Sequence, residues 1–199
     1  MKKFELTAES KINIFGRKLF RIKALISFGD VEEGETGGWI EKEENLEQSS
    51  GNAWVYGNAE VSGDAEVSGN ARVSGNARVS GDAEVSGNAR VSGNARVYGD
   101  AEVSGDAEVS GNAEVYGNAR VYGDARVSGN ADYTTIHGFG TQFRTTTFFR
   151  CKDKQIRVSC GCFFGTIPEF REQVKNTRNG KIAEEYLMIA DLMEKHFAE

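Results

Sequence analysis

Cysteine and histidine are scarce in this sequence, and long apolar runs are missing. The three cysteines, Cys151, Cys160 and Cys162, are odd in number and close together, which suits a reducing compartment better than a disulfide framework. No apolar run reaches membrane-spanning length, and Met1-Lys2-Lys3 is followed by Phe-Glu-Leu-Thr rather than by the apolar core of a signal peptide. These absences predict a cytoplasmic protein that does not bind membranes.

The net charge of −6 is distributed unevenly along the chain. Counting side chains gives −2 for residues 1–50, −6 for 51–134 and +2 for 135–199. An acidic middle region argues against direct binding along a nucleic-acid backbone.

The middle region, residues 51–134, repeats the six-residue phrase G-(N/D)-A-x-V-(S/Y) fourteen times without an insertion. In one unit, Gly69 to Ser74, side chains of an extended segment alternate between faces, so Ala71 and Val73 point inward. Glycine adopts positive φ without steric cost, and Asn or Asp tolerates the same region, so each Gly-(Asn/Asp) pair supplies a bend. A disordered Gly/Ser-rich linker would not have valine at every sixth position, so the repeat indicates an ordered structure.

Written from the valine, the phrase V-S-G-N-A-x resembles the hexapeptide repeat of left-handed parallel β-helices. The resemblance covers 84 of the 199 residues. It implies three hexads per coil, so that residues eighteen apart stack as neighbouring strands at roughly 4.8 Å. It also implies a homo-oligomer, a trimer in that family. The fold class expected is therefore mostly β: a left-handed parallel β-helix with an N-terminal β cap (1–50) and a small C-terminal α+β domain (135–199).

Stacking by eighteen sorts the outward side chains into three columns. One is an acidic interaction face, formed by Asp64, Glu66, Asp82, Glu84, Asp100 and Glu102. A second carries an amide ladder of Asn58, Asn76, Asn94, Asn112 and Asn130, and the third carries Trp54, Arg72, Arg90, Glu108 and Arg126. Like charges one strand apart destabilise a sheet, so the acidic column requires solvent, neighbouring arginine or a basic partner.

Three tyrosines, Tyr98, Tyr116 and Tyr122, replace serine near the exit of the repeats. Clustered exposed aromatic residues mark contact surfaces. The alternative is that they only cover the rod where the C-terminal segment folds back on it.

The flanking regions predict different structures. Residues 1–50 alternate as strands around a turn at Phe15-Gly16-Arg17, and Trp39-Ile40 is expected to plug the open end of the helix. Beyond residue 135, two strands pair across Lys152-Asp153-Lys154, and Thr166 with Glu169 forms a capping box that opens the first of two helices. The passage G-D-V-E-E-G-E-T-G-G-W-I-E at 29–41 resembles the lead-in of bacterial and prophage-encoded hexapeptide-repeat proteins, and C-G-C-F-F-G-T-x-x-E-F resembles a phage-type tail.

A basic hairpin in the C-terminal unit is the candidate ligand site. Its cations are Arg144, Arg150, Lys152, Lys154 and Arg157. Such a patch can bind an anion, including the phosphates of a nucleotide, through bidentate hydrogen bonds from arginine and through main-chain N–H groups. The alternative is that these cations neutralise the acidic rod or keep the hairpin edge soluble.

The sequence gives little support for a catalytic site or a metal site. Many left-handed β-helix proteins are acyltransferases with a histidine on the solenoid, but no repeat here contains histidine, and His137 and His196 lie outside. A zinc site of the cysteines with His137 would need a bend at Cys160-Gly161-Cys162, and the calcium-binding G-G-x-G-x-D corner is absent. We therefore expect no catalytic residue, no metal and no cofactor.

Three hypotheses follow from the sequence. The first is a non-enzymatic scaffold or interaction protein, phage or prophage encoded, acting in the host bacterial cytosol. The second is a phage counter-defence protein that binds a nucleotide signal or, as an acidic nucleic-acid mimic, a host defence protein. The third is a hexapeptide-repeat acyltransferase.

Overall fold

The hexads of the middle region form short strands that wind into a three-sided parallel solenoid. The computed structural model describes residues 2–198. Each strand consists of the outward residue and the valine of one hexad, while the Gly-(Asn/Asp) pair makes the turn. These strands are β4 (Trp54–Val55), β5 (Glu60–Val61), β6 (Glu66–Val67), β7 (Arg72–Val73), β8 (Arg78–Val79), β9 (Glu84–Val85), β10 (Arg90–Val91), β11 (Arg96–Val97), β12 (Glu102–Val103), β13 (Glu108–Val109), β14 (Glu114–Val115), β15 (Arg120–Val121) and β16 (Arg126–Val127).

The predicted stacking by eighteen residues is confirmed on all three sides. The sheets run β4-β7-β10-β13-β16, β5-β8-β11-β14 and β6-β9-β12-β15, all parallel. Arg72 pairs with Arg90 and Val73 with Val91. The left-handed winding stays a prediction of the resemblance.

Alanine and valine fill the solenoid interior. The repeat alanines from Ala53 to Ala125 and the repeat valines from Val55 to Val127 are at most 1% exposed. They belong to one continuous apolar cluster that reaches into the N-terminal cap and up to Phe149 of the C-terminal unit. The inner pair of every hexad therefore lies where its alternation predicts.

The solenoid ends one hexad before the repeat does. Residues Asn130–Asp132 form a 3-10 turn instead of a fourteenth parallel strand. The Asp132 carboxylate accepts hydrogen bonds from the backbone N–H groups of Ser128 and Gly129 at 2.8 and 3.0 Å. The chain then leaves in an antiparallel strand that begins at Tyr133.

The N-terminal cap continues one side of the solenoid. β1 (Phe4–Ile12) and β2 (Lys18–Ala24) are antiparallel, and β3 (Thr36–Ile40) pairs antiparallel with β2 and parallel with β5. The antiparallel hairpin thus extends a sheet of parallel coils, with its turn at residues 13–17 as predicted.

The two tryptophans lie on the opposite sides of the chain from those that the sequence predicts. Trp39 does not plug the open end, because it pairs with the outward residue Glu60 and lies under the cations of Lys11 and Arg21 at 4.5 and 4.8 Å. Ile40, predicted to act with it, pairs with Val61 and is fully buried in the continuous core. Trp54, expected on the outside, is fully buried. The rings of Phe4 and Phe28 pack edge-on against it, with centroids 6.1 and 5.4 Å away.

Asn45 closes the first coil. It lies in a 3-10 turn, Glu43–Asn45, and its fully buried side chain donates to the carbonyls of Gly63 and Ala65 at 3.0 and 2.8 Å. These carbonyls lie at the start of the solenoid, where no preceding coil supplies N–H donors to them. One amide therefore satisfies two backbone groups that would otherwise be buried without hydrogen bonds.

The C-terminal unit is an antiparallel sheet with two helices on one face. Its strands are β17 (Tyr133–Phe139), β18 (Arg144–Arg150), β19 (Ile156–Cys160) and β20 (Phe163–Thr166), followed by α1 (Ile167–Thr177) and α2 (Gly180–Phe197). Phe149 points to the solenoid core and Phe148 to the helices. The hairpin, the capping box of Thr166 with Glu169 and both helices are as predicted, whereas β17 and β20 were not predicted.

Gly87 tests the corner geometry. Its φ of +65° is unfavourable for other residues, and an added Cβ would lie 2.9 Å from the backbone nitrogen of Gly105. We expect Gly87→Ala to destabilise the protein by at least about 1–2 kcal/mol in urea unfolding. Gly129, with extended φ and open space around it, is the matched control. Equal stability of Gly87→Ala and Gly129→Ala would contradict this account of the corners.

Asn45 tests the closure of the first coil. Asn45→Ala leaves the carbonyls of Gly63 and Ala65 without their donor, so we expect a loss of about 1–3 kcal/mol in the free energy of unfolding. Asn76→Ala, which removes one exposed amide contact to Asn94, should cost much less. Closure by Asn45 would be refuted if the two variants unfolded at the same urea concentration.

Candidate functional site

The acidic interaction face lies along one sheet, with cations at both ends. Glu66, Glu84 and Glu102 stack in register, and Arg120 follows them and pairs with Glu102 at 2.9 Å. At the other end the Lys42 ammonium donates to Asp64, which lowers the pKa of that carboxyl. Four carboxylates between these ends have no ion pair among residues 2–198: Glu66, Asp82, Glu84 and Asp100.

The other two sides carry balanced charges. Glu60 pairs with Arg78 and Arg96 with Glu114, at 3.6 and 3.2 Å, and both pairs join stacked strands. Arg90 approaches Glu108 at 3.9 Å on the third side. The third side also has two carboxylates without an ion pair in residues 2–198, Asp106 and Asp124, but the longest run of unpaired carboxylates lies on the acidic side.

Amide ladders run along two corners. The predicted ladder is formed by Asn76, Asn94 and Asn112, whose side chains are linked at 3.2 and 3.1 Å. A second ladder was missed, although the same spacing indicates it. It comprises Asn52, Asn70, Asn88 and Asp106, linked at 3.1, 3.0 and 2.9 Å.

The three tyrosines do not form one patch. Tyr98 and Tyr116 stack with ring centroids 5.3 Å apart and planes 12° apart, and Tyr116 is 52% exposed. Tyr122 packs against Phe164 and Phe149 of the C-terminal unit, at 4.6 and 6.2 Å. Tyr122 thus covers the rod beneath that unit, whereas Tyr98 and Tyr116 form a stacked pair on the coils, and their role as a contact surface stays a prediction.

The five cations of the basic hairpin are not gathered into one site. Arg150 pairs with Asp132 at 3.5 Å, Lys152 with Glu108 at 3.1 Å, and Arg157 with Asp153 at 2.7 Å. Lys154 is exposed in the turn, with a positive φ of 66°. The first two pairs join the hairpin to residues 51–134, as the charge-neutralising alternative predicts.

Arg144 lies at the opposite end of β18 and lines two adjoining cavities. The inner cavity, about 90 Å³, lies between the sheet and the helices. The outer cleft, about 700 Å³, lies between the last coils and the C-terminal sheet. Its lining includes Arg120, His137, Phe143 and Cys162. Sequence reasoning found Arg144 but missed the residues that surround it.

Tyr186 and Cys160 are two of the polar residues that line the inner cavity. The Tyr186 hydroxyl donates to the Phe139 carbonyl at 3.3 Å, and the Thr146 hydroxyl donates to the Cys160 sulfur at 3.2 Å. Burial raises the pKa of Tyr186, and Cys160 raises it further, whereas Arg178 and Arg144 act in the opposite sense. Both guanidinium groups therefore act electrostatically on the Tyr186 hydroxyl.

The cysteines do not form the zinc site considered above. All three are free thiols, and Cys151 lies away from the cavity that Cys160 and Cys162 line. Within residues 2–198 the one cluster of three metal-ligating side chains is Asp124, Cys151 and Asp153, and Asp153 is already paired with Arg157. Burial raises the pKa of the Cys151 thiol to about 12, with a further contribution from its hydrogen bond to Asp124.

The repeats match a known family. A family model described as the YdcK beta solenoid repeat matches residues 65–81, 71–87, 83–99, 89–105 and 113–129. The chain is a β-solenoid repeat protein. The matches lie within the coils and leave the cap and the C-terminal unit uncovered. No curated protein matches the chain.

Neither histidine of this β-solenoid lies on a coil. His137 contacts the Thr145 hydroxyl at 3.1 Å, and His196 packs edge-on against Phe197. Among the described residues, no helix is long and apolar enough to span a bilayer.

The thiols give a test of the site geometry. Cys162 is exposed and Cys151 is buried, with its pKa raised to about 12, and only the thiolate reacts with alkylating agents. We expect iodoacetamide at pH 8 to label Cys162 in the folded protein and Cys151 only after unfolding, as measured by peptide mass spectrometry. Equally fast labelling of both would contradict the burial of Cys151.

Proposed function

We propose that this β-solenoid is a non-enzymatic interaction scaffold whose acidic side is its docking face for a basic partner protein. One observation supports this most strongly. Glu66, Asp82, Glu84 and Asp100 form an exposed run of carboxylates with no ion pair in residues 2–198, whereas each of the other two sides has arginine–carboxylate pairs between stacked strands. Stacked like charges cost stability, so a column kept in this state indicates selection for something other than folding.

The packing of the coils favours a scaffold over an acyltransferase. The coil interiors are filled by alanine and valine, and no loop interrupts the hexads. No coil carries a histidine to act as a general base. We propose accordingly that the protein is not an enzyme, and we expect no consumption of acetyl-CoA.

The resemblances of the lead-in and of the C-terminal tail support a phage or prophage origin, with action in the host cytosol. Counter-defence by nucleic-acid mimicry is less well supported, because arginines pair with the carboxylates on two of the three sides. A homotrimer follows from the β-helix resemblance, and light scattering measures it.

Neutralising the acidic face tests the proposal. The triple variant Glu66→Gln, Asp82→Asn, Glu84→Gln removes repulsion between stacked strands, so its urea midpoint should rise at low salt. The gain should vanish near 1 M salt, where the Debye length is about 3 Å. A control, Glu5→Gln, Glu9→Gln, Glu33→Gln, removes three exposed charges from the cap and should leave the midpoint unchanged.

The same variants test docking. Co-purification from bacterial cytosol should recover a basic partner with the wild type and with the cap control, but not with the acidic-face variant. Recovery of the same proteins with all three would refute docking on the acidic face.

A further inference from the structure

Two adjoining cavities in the C-terminal unit are free of carboxylates. The protein carries a net charge of −6, yet no Asp or Glu lines either the inner cavity or the outer cleft among residues 2–198. Their charged lining residues are all arginines, Arg144 and Arg178 in the inner cavity and Arg144 and Arg120 in the outer cleft. The local field therefore favours an anion.

Arg144 is held between the two cavities and has no carboxylate partner in the described chain, unlike Arg150 and Arg157. Its Nη1 lies against the backbone of Gly161, where an added Cβ would approach it to 2.4 Å. Gly161 also has a φ of +63°. Glycine at this position thus lets the guanidinium lie on the main chain at the junction of the cavities.

The inner cavity has the size and chemistry for one oxyanion group. Arg178, at the end of α1, has no carboxylate partner within residues 2–198, and its Nη1 donates only to the Thr177 carbonyl there, at 3.0 Å. Phe163, Phe170 and Val174 form the apolar part of the wall. A water needs about 10–15 Å³ of such space, so 90 Å³ admits a group of phosphate size.

Phe143 lies in the outer cleft, next to Arg144 in sequence. It is 66% exposed and has a φ of +48°, which is strained for a residue with a side chain. Residues held in such conformations concentrate at ligand sites. An exposed ring in a cleft of about 700 Å³ offers a stacking surface for a flat group.

We propose that the C-terminal unit binds a small organic phosphate that carries a flat ring. Arg144 and Arg178 hold the phosphate in the inner cavity, and Phe143 stacks on the ring in the outer cleft. Arginine suits this role because its planar fork matches phosphate oxygens in pairs. This site is independent of the scaffold role and stands even if the acidic face has no partner.

Calorimetric titration of the full chain with three probes tests the ligand class. We expect phenyl phosphate to bind about tenfold more tightly than inorganic phosphate, because stacking of its ring on Phe143 adds to the contacts of the phosphate. Benzoate offers the ring with a carboxylate, and we expect it to bind more weakly than phenyl phosphate. Tighter binding of benzoate would overturn the phosphate assignment, and no binding of any probe at millimolar concentration would overturn the site.

Three variants separate the parts of the site. Arg144→Gln should weaken both phosphate probes at least tenfold, whereas Phe143→Gly should remove the advantage of phenyl phosphate and leave inorganic phosphate unchanged. Lys154→Gly is the matched control, because it removes a cation and a positive-φ side chain from the distant turn. Equal losses in Lys154→Gly and Arg144→Gln would show that overall charge, not the cavity, attracts the anion.

Alkylation locates the ligand in the unmodified protein. Cys162 is exposed and lines both cavities, so saturating phenyl phosphate should slow its reaction with iodoacetamide severalfold. Unchanged labelling of Cys162 at saturation would place the ligand elsewhere. This readout uses no substitution and therefore stays decisive if Arg144→Gln fails to fold.

Discussion

Backbone hydrogen bonds between stacked strands, whose paired residues are eighteen positions apart, constrain every other feature of this protein. The N–H of Arg72 donates to the Ala89 carbonyl at 2.9 Å, and that of Ser74 to the Val91 carbonyl at 2.9 Å, and the pattern recurs down the rod. The ladder closes because a glycine at each turn adopts positive φ and allows the next coil to approach. With corners and ladder fixed, the alanine and valine of each hexad fill the interior.

The same stacking decides what the surface can do. Any outward side chain lies next to the residues eighteen positions away, so a sequence of Glu66, Glu84 and Glu102 becomes a column of negative charge. Arg96 beside Glu114 becomes a cross-strand pair in the same way. The variable positions of each hexad, among them its corner Asn or Asp and its outward strand residue, therefore determine the surface properties of the rod. The ligand site that we propose lies instead in the C-terminal unit, where the chain is not periodic.

The periodic part of the fold was predictable, and the aperiodic part was predictable only locally. Valine recurs at every sixth position, so the burial and the register of a residue such as Val73 follow from the repeat length. Capping by Thr166 and Glu169 also follows from local chemistry. By contrast, the contacts of Asp132 with Ser128 and Gly129 that end the rod depend on tertiary structure. The same holds for the outward position of Trp39 and the burial of Trp54. It also holds for the cavity that Arg144 and Arg178 line together. Sequence showed the cations of the hairpin but not which of them already had carboxylate partners.

Residues eighteen apart, not twelve, are neighbours along the rod, and engineered disulfides can test this spacing. Cα atoms on stacked strands lie roughly 4.8 Å apart, within the span that a disulfide bridges. In the double variant Asn76→Cys, Asn94→Cys, mild oxidation should join the two positions almost completely, as seen in peptide maps. Asn76→Cys with Asn88→Cys should stay reduced, because these residues lie on different corners. Ready oxidation of the second pair, or none of the first, would contradict the winding and the surface derived from it.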